Sequence, residues 1–316
     1  MPAPLFQAQG HGIYRIDTLH NGPDSTACYV LEANGRVAII DTGARKTPAA
    51  IQQLLEARGL SAEAVDYVMP THVHLDHAGA CGQLMQRFPN ARLVVHPRGA
   101  RHMIDPTRLA AGTVAVYGEE TFQAAFGALE PVTAERVVSI EDDGVIDLAG
   151  RELLCIHSPG HASHHYCVYD RTSGSLFAGD TFGVSFREFD HDGRSFVFPT
   201  TSPVDFDPDQ WHQTLDKLMS HAPQRVFVAH FGRVDAVPEG ERQLRLGIDA
   251  HARIARAAAD AADRKSAIKS AITDLLLEML RHHASPLSEA QSLERMATDL
   301  EINAQGLLVW LERQSS

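Results

Sequence analysis

Residues 71–77 read Thr-His-Val-His-Leu-Asp-His, so His72, His74, Asp76 and His77 bring four metal-ligating side chains into one short segment. Neutral imidazoles with one anionic oxygen match the ligand preferences of zinc and related divalent ions. A metal held this way ordinarily does chemistry on water, lowering its pKa to about 7 and polarising an electrophile.

The elements that must aim these groups are readable around them. Val65 to Met69 (VDYVM) is a short apolar run with β-branched residues, which predicts a buried strand, and Pro70 ends it. The ligand segment therefore sits on the loop leaving a strand, where open α/β sheets place their sites. An amphipathic run, GQLMQRF, predicts a helix after it. Downstream, the pattern recurs three times. RELLCIH leads to Ser158-Pro159-Gly160-His161, SLFA to Gly179-Asp180, and RVFVA to His230-Phe231-Gly232. In each case an apolar strand ends in one ligand-type residue beside a glycine, which lets the chain turn sharply inward.

Taken in order, VAIIDTG (37–43), THVHLDHAG, SPGHASHH, FAGDTF and AHFG resemble the metallo-β-lactamase-fold hydrolases over about residues 10–235, in particular the glyoxalase-II-like branch with a C-terminal helical extension. The resemblance implies an α/β fold, a four-layer αββα sandwich with a metal site at one edge. It implies that His72, His74 and His161 hold one metal, that Asp76, His77 and His230 hold a second, and that Asp180 bridges them. Asp41 would orient the ligands. The cofactors would be two divalent ions, with zinc expected first and iron or manganese suited to the same donors. A metal-bridging hydroxide would attack a small ester, thioester or lactone, with Asp76 orienting the nucleophile or accepting its proton. His165 falls four residues after the lone ligand His161, where thioester-hydrolysing members carry a histidine, and is a catalytic candidate. The related flavo-diiron proteins carry Glu where this chain has His74. Iron-dependent sulfur or persulfide dioxygenases share the first motif and give an alternative reading, as does a metal-binding regulatory protein of the same fold.

Composition frames these expectations. The chain has 316 residues, 44% hydrophobic and 22% charged, an ordinary globular profile that leaves room for a second small unit. No apolar run approaches 18 residues, so no membrane span is expected. MPAPLFQAQGHG lacks the basic and apolar regions of an export signal, and a cytoplasmic location is expected. Cys28, Cys81, Cys155 and Cys167 are widely spaced with no C-x-x-C pair, so free buried thiols are expected. The net charge is −12, most of it before residue 239, which disfavours a nucleic-acid partner because backbone binding needs clustered Lys and Arg. A small-molecule substrate is expected instead.

The expected organisation is a catalytic domain over 1–238 and an all-helical extension over 239–316. A hairpin is predicted at Asn34-Gly35 and a helix over 47–58. A mainly helical insert is predicted over 97–130. Thr181 to Asp207 is too rich in aromatics and turn residues for regular structure, and long irregular loops tend to be functional. Within it Phe182, Phe186 and Arg187 are candidate substrate-binding residues, Arg187 for a carboxylate. The extension predicts helices over 239–263 and 265–283, a third capped by Ser288, and a fourth over 303–313. ITDLLLEML is too apolar to lie bare, so this part is expected to pack on the first domain or on a partner chain, giving a route to a homodimer through the C-terminal helices.

Overall fold

Runs of alternating or continuous apolar residues set the strands, and turn chemistry sets their order. The computed structural model describes residues 5–201 and 205–314, with the backbone alone at 116 and 117. Two compact units emerge. The first holds the chain to His157, His164–Gly179 and Ala229–Phe231; the second holds Ser158–Ser163, Asp180–Val228 and the chain from Gly232 onward.

In the first unit, β1 (Phe6–Gly10), β2 (Ile13–Asp17), β3 (Ala27–Ala33), β4 (Arg36–Ile40), β5 (Val65–Met69), β6 (Arg92–Val95) and β7 (Val137–Ser139) form one sheet in that order. Strands β1 to β4 pair antiparallel and β4 to β7 parallel. Asn34 and Gly35 both have positive φ, as a two-residue hairpin turn requires. The parallel steps need crossovers. Helix α1 (Thr47–Ala57) supplies the first, and α2 (Leu75–Ala78) with α3 (Cys81–Arg87) the second. Ile51, Leu54 and Leu55 of α1 and Leu84 and Met85 of α3 join Ile39, Val68 and Leu93 in one core. Each such side chain contributes about 1.5–3 kcal/mol on burial. Arg136 closes the end of α3, donating to the carbonyls of Met85 at 2.7 Å and Ala91 at 3.0 Å. Helices α4 (Pro97–Ile104), α5 (Thr107–Tyr117) and α6 (Glu119–Ala125) form the expected helical insert.

Four further strands of this unit pair antiparallel in sequence: β8 (Gly144–Leu148), β9 (Arg151–His157), β10 (Tyr166–Asp170) and β11 (Ser175–Gly179). They pack against the first sheet. Tyr29 on β3 meets Phe177 on β11 edge-on at 5.3 Å, and Tyr166 Oη on β10 donates to Val94 O on β6 at 2.9 Å. Arg151 ties the layers with a buried ion pair. Its Nε and Nη2 reach the Asp170 carboxylate at 3.1 and 2.6 Å, and its Nη1 donates to His11 O at 2.8 Å.

The second unit contains α7 (Pro208–Met219), the antiparallel pair β12 (Arg225–Val228) and β13 (Gly232–Val234), then α8 (Val237–Ala257), α9 (Arg264–His283), α10 (Glu289–Arg295) and α11 (Ala297–Gln314). Asp207 caps α7 through Gln210 N–H, with Pro208 in the first turn, and Ser288 with Gln291 builds a capping box on α10. Ile268, Ile272, Leu276 and Leu280 of α9 are buried, and α9 packs on α8 and α11. The apolar stripe of ITDLLLEML thus finds cover among the helices of its own unit, and the end of α9 also meets the irregular loop, where His283 lies 5.5 Å from Phe196. The last helix begins at Ala297, six residues before the expected start, because Met296 and Leu300 are both buried and extend the apolar face. Between Thr181 and Thr201 regular structure is confined to one helical turn at Arg187–Phe189 and two isolated bridges, Val184–Phe198 and His191–Arg194. Among the described residues no helix is long and apolar enough to cross a membrane.

Candidate metal centre

Strands β4 and β5 lie side by side and parallel, so the residues that follow each emerge at the same sheet edge. Asp41 follows β4 and Thr71 follows β5. The buried Asp41 accepts from Thr71 N–H and Thr71 Oγ1–H through Oδ1, both at 2.8 Å. Its other oxygen, Oδ2, lies 3.1 Å from His77 Nδ1. One carboxylate therefore holds the start of the ligand loop and the ring of its last histidine.

The hydrogen-bond partners assign the tautomers. Thr71 spends its hydroxyl proton on Asp41, so toward His72 Nδ1, 3.2 Å away, it can only accept. His72 then carries its proton on Nδ1 and turns a bare Nε2 toward His74 Nδ1 at 2.8 Å. His77 likewise donates Nδ1–H to Asp41. His230 Nδ1 lies 3.3 Å from Ser25 O and 3.5 Å from Thr26 Oγ1, which places its proton on the same nitrogen. The segment carrying His230 is fixed from two sides, by Ala27 N–H to Ala229 O at 2.7 Å and Ala229 N–H to Gly179 O at 3.2 Å.

Both rings direct Nε2 at Asp76. The distances to its Oδ2 are 3.5 Å from His77 and 3.2 Å from His230. Asp76, His77 and His230 each offer one ligand atom, all within 4.8 Å of one another. Two neutral imidazole nitrogens and one carboxylate oxygen, with the distal ring nitrogens already engaged, are the donor set and outer support a divalent ion uses. Burial alone would raise the Asp76 carboxyl, but without an ion the His77 and His230 rings in their protonated forms outweigh it and hold it well below the usual carboxylate range.

The second unit presents the other two expected ligands together. His161 and Asp180 are both buried, with His161 Nε2 3.5 Å from Asp180 Oδ2. His161 Nδ1–H donates to Thr200 O at 2.9 Å, again leaving Nε2 for a ligand role. Gly160, at φ +137°, admits Trp211 where a Cβ would sit 2.5 Å from the Trp211 Cβ. Trp211 Nε1 donates to Thr181 O at 2.7 Å, and Thr181 Oγ1 reaches Ser158 O at 3.4 Å, so α7 links the loops bearing His161 and Asp180.

The remaining sequence candidates lie around these groups and in the irregular loop. His165 is fully buried and stacks on His72 at 4.8 Å. Its Nε2 lies where a Cβ on Gly179 would approach to 2.6 Å, a close packing that Gly179, at φ +48°, permits. It backs the ring of His72, one of the expected ligands. The half-buried neighbour His164 instead lies edge-on to His74 at 5.6 Å. Phe182 and Phe186 are buried, 0% and 2% exposed. Arg187 donates to Ser185 O at 2.6 Å and Arg233 O at 2.7 Å and pairs with Asp190 at 3.2 Å. These three hold the irregular loop, which favours packing over substrate contact, because the guanidinium is already committed to carbonyls and a carboxylate of its own unit. All four cysteines are free and buried, as expected. Burial pushes the Cys81 thiol up to about 12, so it is no nucleophile near neutral pH.

One residue was not singled out by sequence reasoning. His20 follows a turn held by Asp17, whose Oδ1 accepts from Leu19 N–H at 2.9 Å, and packs its ring on Phe126 at 5.3 Å. Its pKa is lowered by burial, with Asp76 pulling it up and His230 and His77 pushing it down. That electrostatic coupling marks it as a neighbour of the Asp76, His77 and His230 group.

The profile of the metallo-beta-lactamase superfamily matches residues 21–271. A metallo-beta-lactamase fold-containing protein of Sulfurisphaera tokodaii is 27% identical over 216 residues, covering 67% of this chain and 75% of that protein. A hydroxyacylglutathione hydrolase of a Synechococcus strain is 31% identical over 218 residues, 68% of this chain and 62% of that one. Among solved structures, a metallo-beta-lactamase family protein from Thermus thermophilus superposes with a TM-score of 0.68 at 20% identity, covering 98% of this chain and 95% of that one. At that identity the match speaks to the fold, two sheets with flanking helices and a helical C-terminal region.

Proposed function

This chain belongs to the metallo-beta-lactamase superfamily, and from that premise we propose that it is a metal-dependent hydrolase of a small ester, thioester or lactone. The observation that carries the reading is the Asp76, His77 and His230 group, whose two rings have their Nδ1 protons engaged and their Nε2 atoms turned on one carboxylate. We propose that these three hold one divalent ion, that His72, His74 and His161 hold another, and that Asp180 bridges them. The order of the motifs along the chain and the similarity to a hydroxyacylglutathione hydrolase support this assignment. Residues 1–238 would then form the catalytic domain and 239–316 an extension of it.

Bound divalent ions would supply a water of pKa about 7 and an electrophilic partner for the substrate carbonyl. The chain's own groups supply the rest. Asp76 would orient the attacking water or accept its proton. Asp41, His77 and Thr71 act as one hydrogen-bonded unit that holds the imidazole edges in a single tautomer. The water oxygen bonds to the acyl carbon, the C–O or C–S bond breaks, and the proton passes to the leaving alkoxide or thiolate.

The test is elemental mass spectrometry of the natively purified protein and of Asp180→Ala, followed by turnover of S-acyl thiols, simple esters and N-acyl lactones. Two zinc ions, or mixed zinc and iron, per chain, depleted in the variant, with hydrolysis of one of these classes, is the expected result. A single iron with oxygen consumption on a persulfide would overturn it in favour of sulfur oxidation.

A further inference from the structure

Asn303 lies on α11, far along the chain from every proposed ligand, and is completely buried. Its side chain uses both ends on one stretch of the irregular loop. Nδ2 donates to Pro199 O at 3.1 Å. Oδ1 accepts from Thr201 N–H at 2.6 Å and lies 3.0 Å from Thr201 Oγ1. The amide thus clamps the residues on either side of Thr200. The Thr200 carbonyl in turn accepts from His161 Nδ1–H at 2.9 Å. This segment belongs to no strand ladder or helix, so its carbonyl direction is not set by regular structure.

A second observation points the same way. Helix α8 holds the same loop, with Gln243 Oε1 accepting from Val197 N–H at 2.8 Å. Gly247 faces Pro199 so closely that a Cβ would come within 2.6 Å of its ring. Two C-terminal helices therefore converge on the few residues that carry the His161 acceptor.

We infer that Asn303 is a positioning residue for His161, fixing its ring direction and its Nδ1–H tautomer through the Thr200 carbonyl. The C-terminal helices are by this account part of the support of the metal centre. The inference rests on the reading of His161 as a metal ligand. A buried amide satisfied at both ends is costly to disturb, because its partners lose their hydrogen bonds with it. Groups that orient ligands from outside typically change metal affinity by about 10–100-fold, and one acting through an intervening carbonyl is expected near the lower figure.

The experiment compares wild type, Asn303→Ala, Asn303→Asp, Leu307→Ala and His161→Ala. Cobalt(II) affinity is measured by competition with a chromophoric chelator, the visible bands of the cobalt protein are recorded, and the imidazole nitrogen resonances of the metal-free protein are followed by NMR. Asn303→Ala is expected to weaken cobalt binding roughly 10-fold, shift the visible bands and speed exchange of the His161 Nδ1 proton. Asn303→Asp keeps the acceptor toward Thr201 but loses the donor toward Pro199, and is the variant to read if the alanine does not fold. Leu307→Ala loosens the same helix by buried apolar loss alone, and is expected to lower thermal stability with cobalt affinity unchanged within about 2-fold. Unaltered affinity, bands and His161 resonances in both Asn303 variants overturn the inference, as does an equal loss in Leu307→Ala. Failure of the underlying reading shows elsewhere, as a wild type that binds no metal or a His161→Ala that binds it as tightly.

Discussion

Asp41 illustrates how much one side chain can carry. With φ at +58° it stands in a conformation few non-glycine residues adopt, and it anchors both Thr71 and His77. Asn at this position keeps an acceptor for Thr71 but turns an N–H on His77 Nδ1–H, donor against donor. Asp41→Asn is therefore expected to weaken metal binding by about 10–100-fold in a chelator competition, with a much smaller change in the unfolding midpoint of the metal-free protein. The histidines and aspartate in 72–77 were legible as candidate ligands because their types are contiguous and chemically unusual together. His161, Asp180 and His230 were legible only as repeats of a strand, glycine, ligand pattern. His20 and Asn303 gave no such signal, since His20 sits between Leu19 and Asn21 in an ordinary turn and Asn303 in an ordinary helix. What distinguishes them is contact with residues distant in sequence, which spacing does not encode. His165 and Arg187 were ambiguous for the converse reason, because a histidine beside a ligand motif and an arginine in a long loop look alike in sequence whether they face substrate or pack inward.

Among elements, the strands that lead into the expected ligands were the most readable. VDYVM, RELLCIH and RVFV emerge within a residue of their expected limits because each is a short apolar run closed by Pro, Gly or a polar loop. Strands β1, β2 and β8 passed unread, their polar residues giving no clear period; β1 is half to fully exposed at the sheet edge. How elements then fix the site is testable at Gly160. A Cβ there would meet Trp211 Cα at 2.6 Å, so Gly160→Ala must shift either α7 or the loop that bears His161. The expected cost is about 1–3 kcal/mol in urea unfolding, typical of overpacking, together with weakened metal binding. Gly150→Ala is the matching control. Its φ of +90° carries a similar conformational penalty, but nothing lies within 4 Å of the added methyl, so any loss of stability should leave metal binding intact.

At the scale of the whole molecule, proton and metal linkage decide when the fold holds. His251 is fully buried on α8, its Nδ1–H donates to Gly247 O at 2.8 Å, and its Nε2 has no partner among the described residues. Burial pushes its pKa down to about 4, against an unfolded value near 6.5. Between those values the unfolded chain binds the extra proton, so the contribution is complete above pH 6.5 and is lost as pH falls toward 4. It amounts to about 3 kcal/mol, and the urea midpoint of His251→Leu is expected to fall less between pH 7 and pH 4.5 than that of wild type. Metal acts in the opposite sense, adding stability by mass action. Asp76 and His230 come from remote parts of the chain yet face one another at 3.2 Å, and an ion shared between them binds only the folded form. At a free metal concentration about 1,000 times the dissociation constant the gain is about 4 kcal/mol. For a chain of this length that corresponds to a rise in Tm of roughly 6 °C, lost on chelation and recovered with zinc. The same protocol applied to Asp76→Ala should show a much reduced shift, since one donor of the group is gone. A wild-type Tm indifferent to chelator would mean that the donor set, however well arranged, does not hold an ion strongly enough to do chemistry with it.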